Sequence, residues 1–251
     1  MTCPYRKERY GHVPFAGITS MFYGFFFIGL AALLVNVAVQ TAGWGSLILI
    51  WPALAFLFIS VAYLGAGAKL LGKRPDGTIS RSRQVLLLPY FVLIGGLWHL
   101  VRWLSREPVV HEVAPGIRIG RRLLAHEVPK DLQTVVDLTS EFAEPHPLRC
   151  TANYISVPVL DGMPGTSKEF LAAAQRVAEL PKPVFIHCAQ GHGRTAMFTA
   201  LLLIATGYSK DVEDALSQIR SVRPGARPNS RQRRFLELAT KPLTTVNQPP
   251  S

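Results

Sequence analysis

The sequence predicts an α/β domain, a central sheet flanked by helices, preceded by an all-α transmembrane region. Three observations carry this. No Asp, Glu, Lys or Arg occurs from residue 10 to residue 68, a length of chain that a soluble fold does not leave uncharged. From His111 the composition becomes ordinary, and short β-branched runs alternate with helical stretches, the pattern of a sheet covered by helices. Inside that second part, Val184-Phe185-Ile186 leads through a loop with two glycines into the apolar run 196–205, a strand–loop–helix unit.

Apolar residues make up 49% of the 251-residue chain and charged ones 17%, but the average hides a split. Residues 1–107 carry 10 Lys/Arg against 3 Asp/Glu, net +7, and residues 108–251 supply the remaining +4 of the total +11. The N-terminus is basic (Arg6, Lys7, Arg9), and the apolar run behind it is too long for a signal peptide, which makes it an uncleaved anchor. Residues 15–39 and 46–67 are each long enough to cross a hydrocarbon core, with Trp44 and Trp51 suited to the interface. Residues 1–68 thus form a transmembrane hairpin. Basic residues flank it at both ends (Lys69, Lys73, Arg74, Arg81 and Arg83 follow the second span) and its turn has none, which directs both ends to the cytoplasm.

Residues 69–107 join a basic linker to a third uncharged run, 84–101, which contains Pro89, Gly95, Gly96 and His99. It either crosses the bilayer or lies in or dips into the interface. The in-plane or re-entrant form is favoured, because a downstream thiol needs reducing surroundings. Topology explains the basic charge, so membrane lipids are the expected partner and nucleic acid is not. The cysteines (Cys3, Cys150, Cys188) are too few for a disulfide framework.

Residues 108–240 form the α/β domain. Strands are expected at 116–120, 132–138, 154–159 and 183–186. Helices are expected at 168–180, after the glycine loop, at 209–219 with Ser209 as cap, and at 229–239. The Pro/Thr/Asn-rich tail 241–251 is expected to be loose.

The chemistry concentrates at Cys188. A cysteine at a strand's end, facing a helix N-terminus across a tight loop, sits where unpaired N–H groups and the helix dipole attract anions. Gly191 and Gly193 permit the backbone angles that turn successive N–H groups inward. Arg194 can offer a planar fork to two phosphate oxygens, and Thr195 a hydroxyl to the sulfur. Such a place binds a phosphoryl dianion and favours thiolate over thiol. His187 and His192 flank Cys188, but no second cysteine or carboxylate accompanies them locally, so neither a metal nor a cofactor is expected.

His187-Cys188-x5-Arg194-Thr195 resembles the HCx5R[ST] signature of the cysteine-dependent dual-specificity and protein tyrosine phosphatases. The likeness extends over about 130 residues. Gly116 to Gly120 resembles the family's opening strand, Val135-Val136-Asp137-Leu138-Thr139 its next strand, with Glu141 and Glu144 following. Arg220-Ser221-Val222-Arg223-Pro224-Gly225-Ala226, then Gln232 and Phe235, resemble its closing segment. Low-molecular-weight phosphatases and arsenate reductases carry a similar loop near the start of their domain and are excluded by order.

The resemblance implies a sheet flanked by helices and a phosphocysteine intermediate. Phosphate is held by Ala189, Gln190, Gly191, His192, Gly193 and Arg194, with His187 supporting the strand from behind. Cleavage also needs a proton for the leaving oxygen. Asp161 ends the strand through Val159, precedes Gly162-Met163-Pro164-Gly165 and is the expected acid; Asp137 looks structural and Asp131 solvated. Asp161-Gly162-Met163-Pro164 also resembles the acid loop of phosphatidylglycerophosphate phosphatases. The loop lacks the lysines common among polyphosphoinositide phosphatases, whereas Arg220, Arg223, Arg227, Arg231, Arg233 and Arg234 offer a basic face. A phospholipid headgroup phosphate is the favoured substrate. A membrane-associated phosphoprotein, and a non-catalytic phosphate-binding module, stand as alternatives.

Overall fold

The apolar N-terminal sequence forms helices throughout its described part. The computed structural model describes residues 18–41 and 43–246, so the basic N-terminus and the start of the first expected span lie outside it. The described residues divide into two compact units, residues 18–106 with 140–143, and residues 107–139 with 144–246. The sequence placed 140–143 in the second domain; the fold groups them with the first.

In the N-terminal unit, α1 (Ile18–Gln40) and α2 (Ser46–Val61) form an antiparallel hairpin. Helical backbone continues from α2 as far as Leu64, before a kink at Gly65 (φ +152°), and Met21–Gln40 and Ser46–Ala66 are long and apolar enough to cross a membrane. Aromatic side chains close the seam: Phe27 stacks on Phe56 at 5.8 Å between centroids, and Tyr23 meets Tyr63 at 5.2 Å. Gly24 lets the helices approach, since a Cβ there would lie 2.7 Å from the Leu64 side chain. The outer faces carry exposed Phe22, Phe25, Phe26, Ile48 and Leu57. The short α3 (Arg81–Leu86) then leads into α4 (Leu88–Leu104), 17 residues with Tyr90 and Trp98 buried and Val92, Leu97, Leu100 and Trp103 exposed.

The second unit is a five-stranded sheet in the order β1-β2-β5-β3-β4. β1 (Val110–Ala114) pairs antiparallel with β2 (Ile117–Arg121). The rest is parallel: β3 (Thr134–Thr139), β4 (Asn153–Val159) and β5 (Val184–Cys188). Every residue of β3 and β5 is buried, as continuous apolar strands inside a parallel sheet should be. β1 escaped the sequence reading because an edge strand of sequence VHEVA, half-exposed, has no apolar alternation to announce it.

α5 (His146–Arg149) lies under one face of the sheet, where Leu148, Leu123, Val135 and Phe185 cluster. The other face is covered by α6 (Ser167–Ala178), α7 (Gly193–Ala205), α8 (Val212–Val222) and α9 (Ser230–Val246). α7 is buried from Arg194 to Ile204, an all-round apolar helix that only a core position suits. Phe198 on α7 meets Phe170 of α6 edge-on at 5.6 Å, and Phe170 meets Phe235 of α9 at the same distance.

Two expectations need correction. The cap of α8 is Asp211, whose side chain accepts the Asp214 N–H at 2.9 Å, and not Ser209, two residues too early to reach the first turn. α9 continues to Val246, into the stretch expected to be loose; residues 247–251 lie outside the described residues. Because Phe198 is fully buried between these helices, Phe198→Ala should destabilise the domain by about 3–5 kcal/mol, read as a lower denaturation midpoint in urea titrations.

Candidate active site

β5 delivers Cys188 at the C-terminal end of a central strand, where it is 3% exposed, and α7 begins five residues later. Between them the carbonyl groups of four successive residues are each answered. The backbone N–H of Arg122 donates to Ala189 O (3.2 Å), Arg223 Nη2 to Gln190 O (2.9 Å), Arg223 Nε to Gly191 O (3.0 Å), and the N–H of Ala196 to His192 O (2.8 Å). In a trans peptide the carbonyl and the following N–H point in opposite directions. With the Ala189, Gln190 and Gly191 carbonyls bound to the surrounding protein, the N–H groups of Gln190, Gly191 and His192 face the other way. That is an anion-binding nest at a helix N-terminus.

The glycines are demanded by space and angle. Gly191 has φ +74°, and a Cβ there would fall 2.3 Å from the Gly120 carbonyl carbon of β2. At Gly193 a Cβ would sit 2.6 Å from the Gln232 side-chain oxygen. Both positions are closed to a side chain without movement of their neighbours.

Arg194 is 1% exposed and runs beneath the loop. Its Nη1 donates to Val159 O (2.8 Å) and Leu138 O (3.4 Å), and its Nη2 lies 3.1 Å from Asp161 Oδ1. The Asp161 side chain is 67% exposed, so this ion pair opens to solvent on the aspartate side. The structure therefore brings Asp161 to the arginine of the loop, while the rival acids sit elsewhere. Asp137 is buried and takes hydrogen bonds from Thr139 N, Thr139 Oγ1 and the Tyr154 hydroxyl. Asp131 forms an exposed pair with Arg118 at 2.8 Å. The Thr195 hydroxyl is buried and makes no hydrogen bond among the described residues.

His187 is fully buried, its ring stacked on Phe185 at 5.4 Å. The sequence showed no carboxylate near it, yet Asp137, its register neighbour on β3, and Glu144 offer oxygen atoms within 4.8 Å of it and of each other. Asp137 is already bound by Thr139 and Tyr154, and Glu144 pairs with Arg122 Nε at 2.8 Å. Burial, then the charges of Asp137 and Glu144, push the Tyr154 hydroxyl above the usual tyrosine range. The cluster is a buried polar network beneath the cysteine strand.

Sequence reasoning misplaced Arg223 and overlooked its neighbours. Arg223 is 1% exposed and does not join a basic face; it clamps the 189–192 loop from outside. Its Nη1 also donates to Pro108 O (2.9 Å) and its Nη2 pairs with Glu107 Oε2 (2.7 Å). Burial holds this guanidinium below the usual arginine range, while Glu107 and the Cys188 sulfur pull it back up and Arg121 lowers it further. At the start of α9, Asn229 Nδ2 donates to Gly162 O (2.8 Å) and Gln232 Nε2 to Met163 O (3.1 Å), fixing the loop that carries Asp161. Gln232 touches both loops, a role only its place in the closing segment hinted at.

Residues 158–240 match the family model described as protein-tyrosine phosphatase. Among solved structures, the chain is similar to human DUSP28 (19% identity, 54% of this chain and 95% of that one, TM-score 0.46). It is also similar to Tk-PTP in the active form (24%, 53% and 96%, TM-score 0.47) and to PTPMT1 in complex with PI(5)P (15%, 56% and 100%, TM-score 0.49). A comparison with curated proteins finds no match. Since Gly191 cannot accept a Cβ, Gly191→Ala should weaken inorganic phosphate binding by at least about tenfold, measured by calorimetric titration.

Proposed function

We propose, from the premise that the C-terminal domain belongs to the protein-tyrosine phosphatase family and is a cysteine-type phosphatase, that the chain is a membrane-anchored hydrolase of phospholipid headgroup phosphate monoesters. The reaction runs in two displacements. The Cys188 thiolate attacks phosphorus, and the S–P bond forms as the bond to the leaving oxygen breaks. Arg194 and the loop N–H groups hold the equatorial oxygens. Asp161 gives its proton to the departing alkoxide. In the second step Asp161 takes a proton from water, whose oxygen attacks phosphorus and releases inorganic phosphate and the Cys188 thiolate. The Thr195 hydroxyl donates to that sulfur as it leaves.

The observation that supports the catalytic reading is the 3.1 Å approach of Asp161 to Arg194, a carboxyl group beside the arginine of the loop. The lipid substrate is supported by the N-terminal unit. Its hairpin exposes Phe22, Phe25, Phe26, Ile48 and Leu57, apolar surface that suits lipid and not water. Anchored there, with both ends on the cytoplasmic side, the catalytic domain meets lipid phosphates at a high effective concentration. α4, at about 26 Å too short for a typical hydrocarbon core, suits the interface with its exposed Trp103 and Leu104 at one end.

Cys188→Ser in the full chain should abolish turnover of p-nitrophenyl phosphate; residual turnover at the wild-type rate would rule out the thiolate. Asp161→Asn should lower kcat by about 10²–10⁴-fold for an alkyl phosphate ester, and less for p-nitrophenyl phosphate, whose phenol leaves without a proton. In vesicles, a phosphatidylglycerophosphate-type lipid should be hydrolysed with higher kcat/KM than a phosphotyrosine peptide; the opposite order would assign the site to membrane-associated phosphoproteins.

A further inference from the structure

A carboxylate 85 residues ahead of His192 in sequence touches both His192 and the arginine that binds two of the loop's carbonyls. Glu107 Oε2 lies 2.7 Å from Arg223 Nη2 and 2.9 Å from His192 Nε2. Its neighbour Pro108 takes a third bond from Arg223. We propose that Glu107 is a positioning residue for phosphate binding, acting through Arg223 and His192 to keep the loop's N–H groups turned into the nest; this rests on the phosphatase reading of the site above.

The physical case begins with Arg223. A guanidinium is a rigid planar fork, and here its donors are spread over Gln190 O, Gly191 O, Pro108 O and Glu107. Three of these are neutral dipoles; Glu107 supplies the charge that lets the cation stay buried. Without it the guanidinium is drawn toward the Cys188 sulfur, and its bonds to the Gln190 and Gly191 carbonyls slacken. Those two carbonyls set the direction of the Gly191 and His192 N–H groups. His192, the residue before α7, is meanwhile tethered by its own ring to the same carboxylate oxygen.

Gly225 fits the same account. A Cβ there would lie 2.8 Å from His192 Nε2 and 3.0 Å from Glu107 Oε1. The glycine of Arg223-Pro224-Gly225 thus leaves room for the pair, and its φ is not in the left-handed region, so space is the reason. A methyl group at 225 pushes only on the far ends of two side chains and perturbs the pair without touching the loop's backbone.

The test uses the full chain in detergent with two probes: p-nitrophenyl phosphate for turnover and inorganic phosphate for calorimetric titration. Glu107→Gln keeps the shape and removes the charge. It should raise KM and the phosphate dissociation constant together by about tenfold, with kcat falling less, in protein that melts at a lower temperature but is folded under assay conditions. Gly225→Ala should shift both constants in the same direction. In the Arg223→Lys background the effect of Glu107→Gln should shrink, because the two act on one loop. Unchanged phosphate affinity in folded Glu107→Gln and Gly225→Ala, a loss confined to kcat, or fully multiplicative effects in the double variant would overturn the proposal. Wild-type protein that binds phosphate without turnover would refute the phosphatase reading instead, and the titrations would still decide the role of Glu107.

Discussion

The site depends on a rule of peptide geometry: a loop can present its N–H groups to a ligand only if its carbonyls find hydrogen-bond donors behind it. Here those donors are the Arg122 N–H, an N–H in the first turn of α7 and above all Arg223, whose buried fork holds two carbonyls at once. The cation can sit there because Glu107 offsets its charge and because the Cys188 sulfur also favours the charged guanidinium. A guanidinium outside the nest therefore shapes it as much as the guanidinium inside. Arg194 faces the opposite problem. It is anchored to the Val159 and Leu138 carbonyls at the ends of β4 and β3, and so is aimed before any substrate arrives.

The rest of the domain serves these two arginines. β5 is central and buried on both faces, which fixes the position of Cys188; α7 is buried all round, which fixes the helix start that follows the cysteine loop. β5 is bonded on either side to β2 and β3, so that Arg121 stands opposite Cys188 and Asp137 opposite His187. The acid loop lacks such a frame, and Asn229 and Gln232 provide one through its backbone carbonyls. The proposed proton donor and nucleophile thus follow separate strands, Asp161 after β4 and Cys188 at the end of β5.

What could be read from the sequence was what is local. The spacing from Cys188 to Arg194 encodes one strand end, one loop and one helix start, and each part has its own composition. The charge-free stretch encodes two apolar helices for the same reason. Asp161 was legible because it ends a strand before a glycine-rich turn. Arg223 was misread as a surface cation, since nothing within ten residues of it reveals the carbonyls it binds. Glu107 was invisible because its partners lie 85 and more residues away. The cap of α8 went to Ser209 because serine and aspartate both satisfy the pattern, and only the helix's actual start at Val212 separates them. The edge strand β1 lacked any period at all, and the third apolar run, compatible with spanning or lying flat, resolved into a 17-residue helix.

The central claim is a covalent one, that the phosphoryl group passes through the sulfur at the end of β5. Acid-quenching the wild-type protein during turnover of p-nitrophenyl phosphate, followed by peptide mass spectrometry, tests it most directly. The account predicts a mass increase of one phosphoryl group on the peptide that carries Cys188, and on no other. Turnover that leaves Cys188 unmodified at every quench time, or that places the phosphoryl group on another residue, would contradict it.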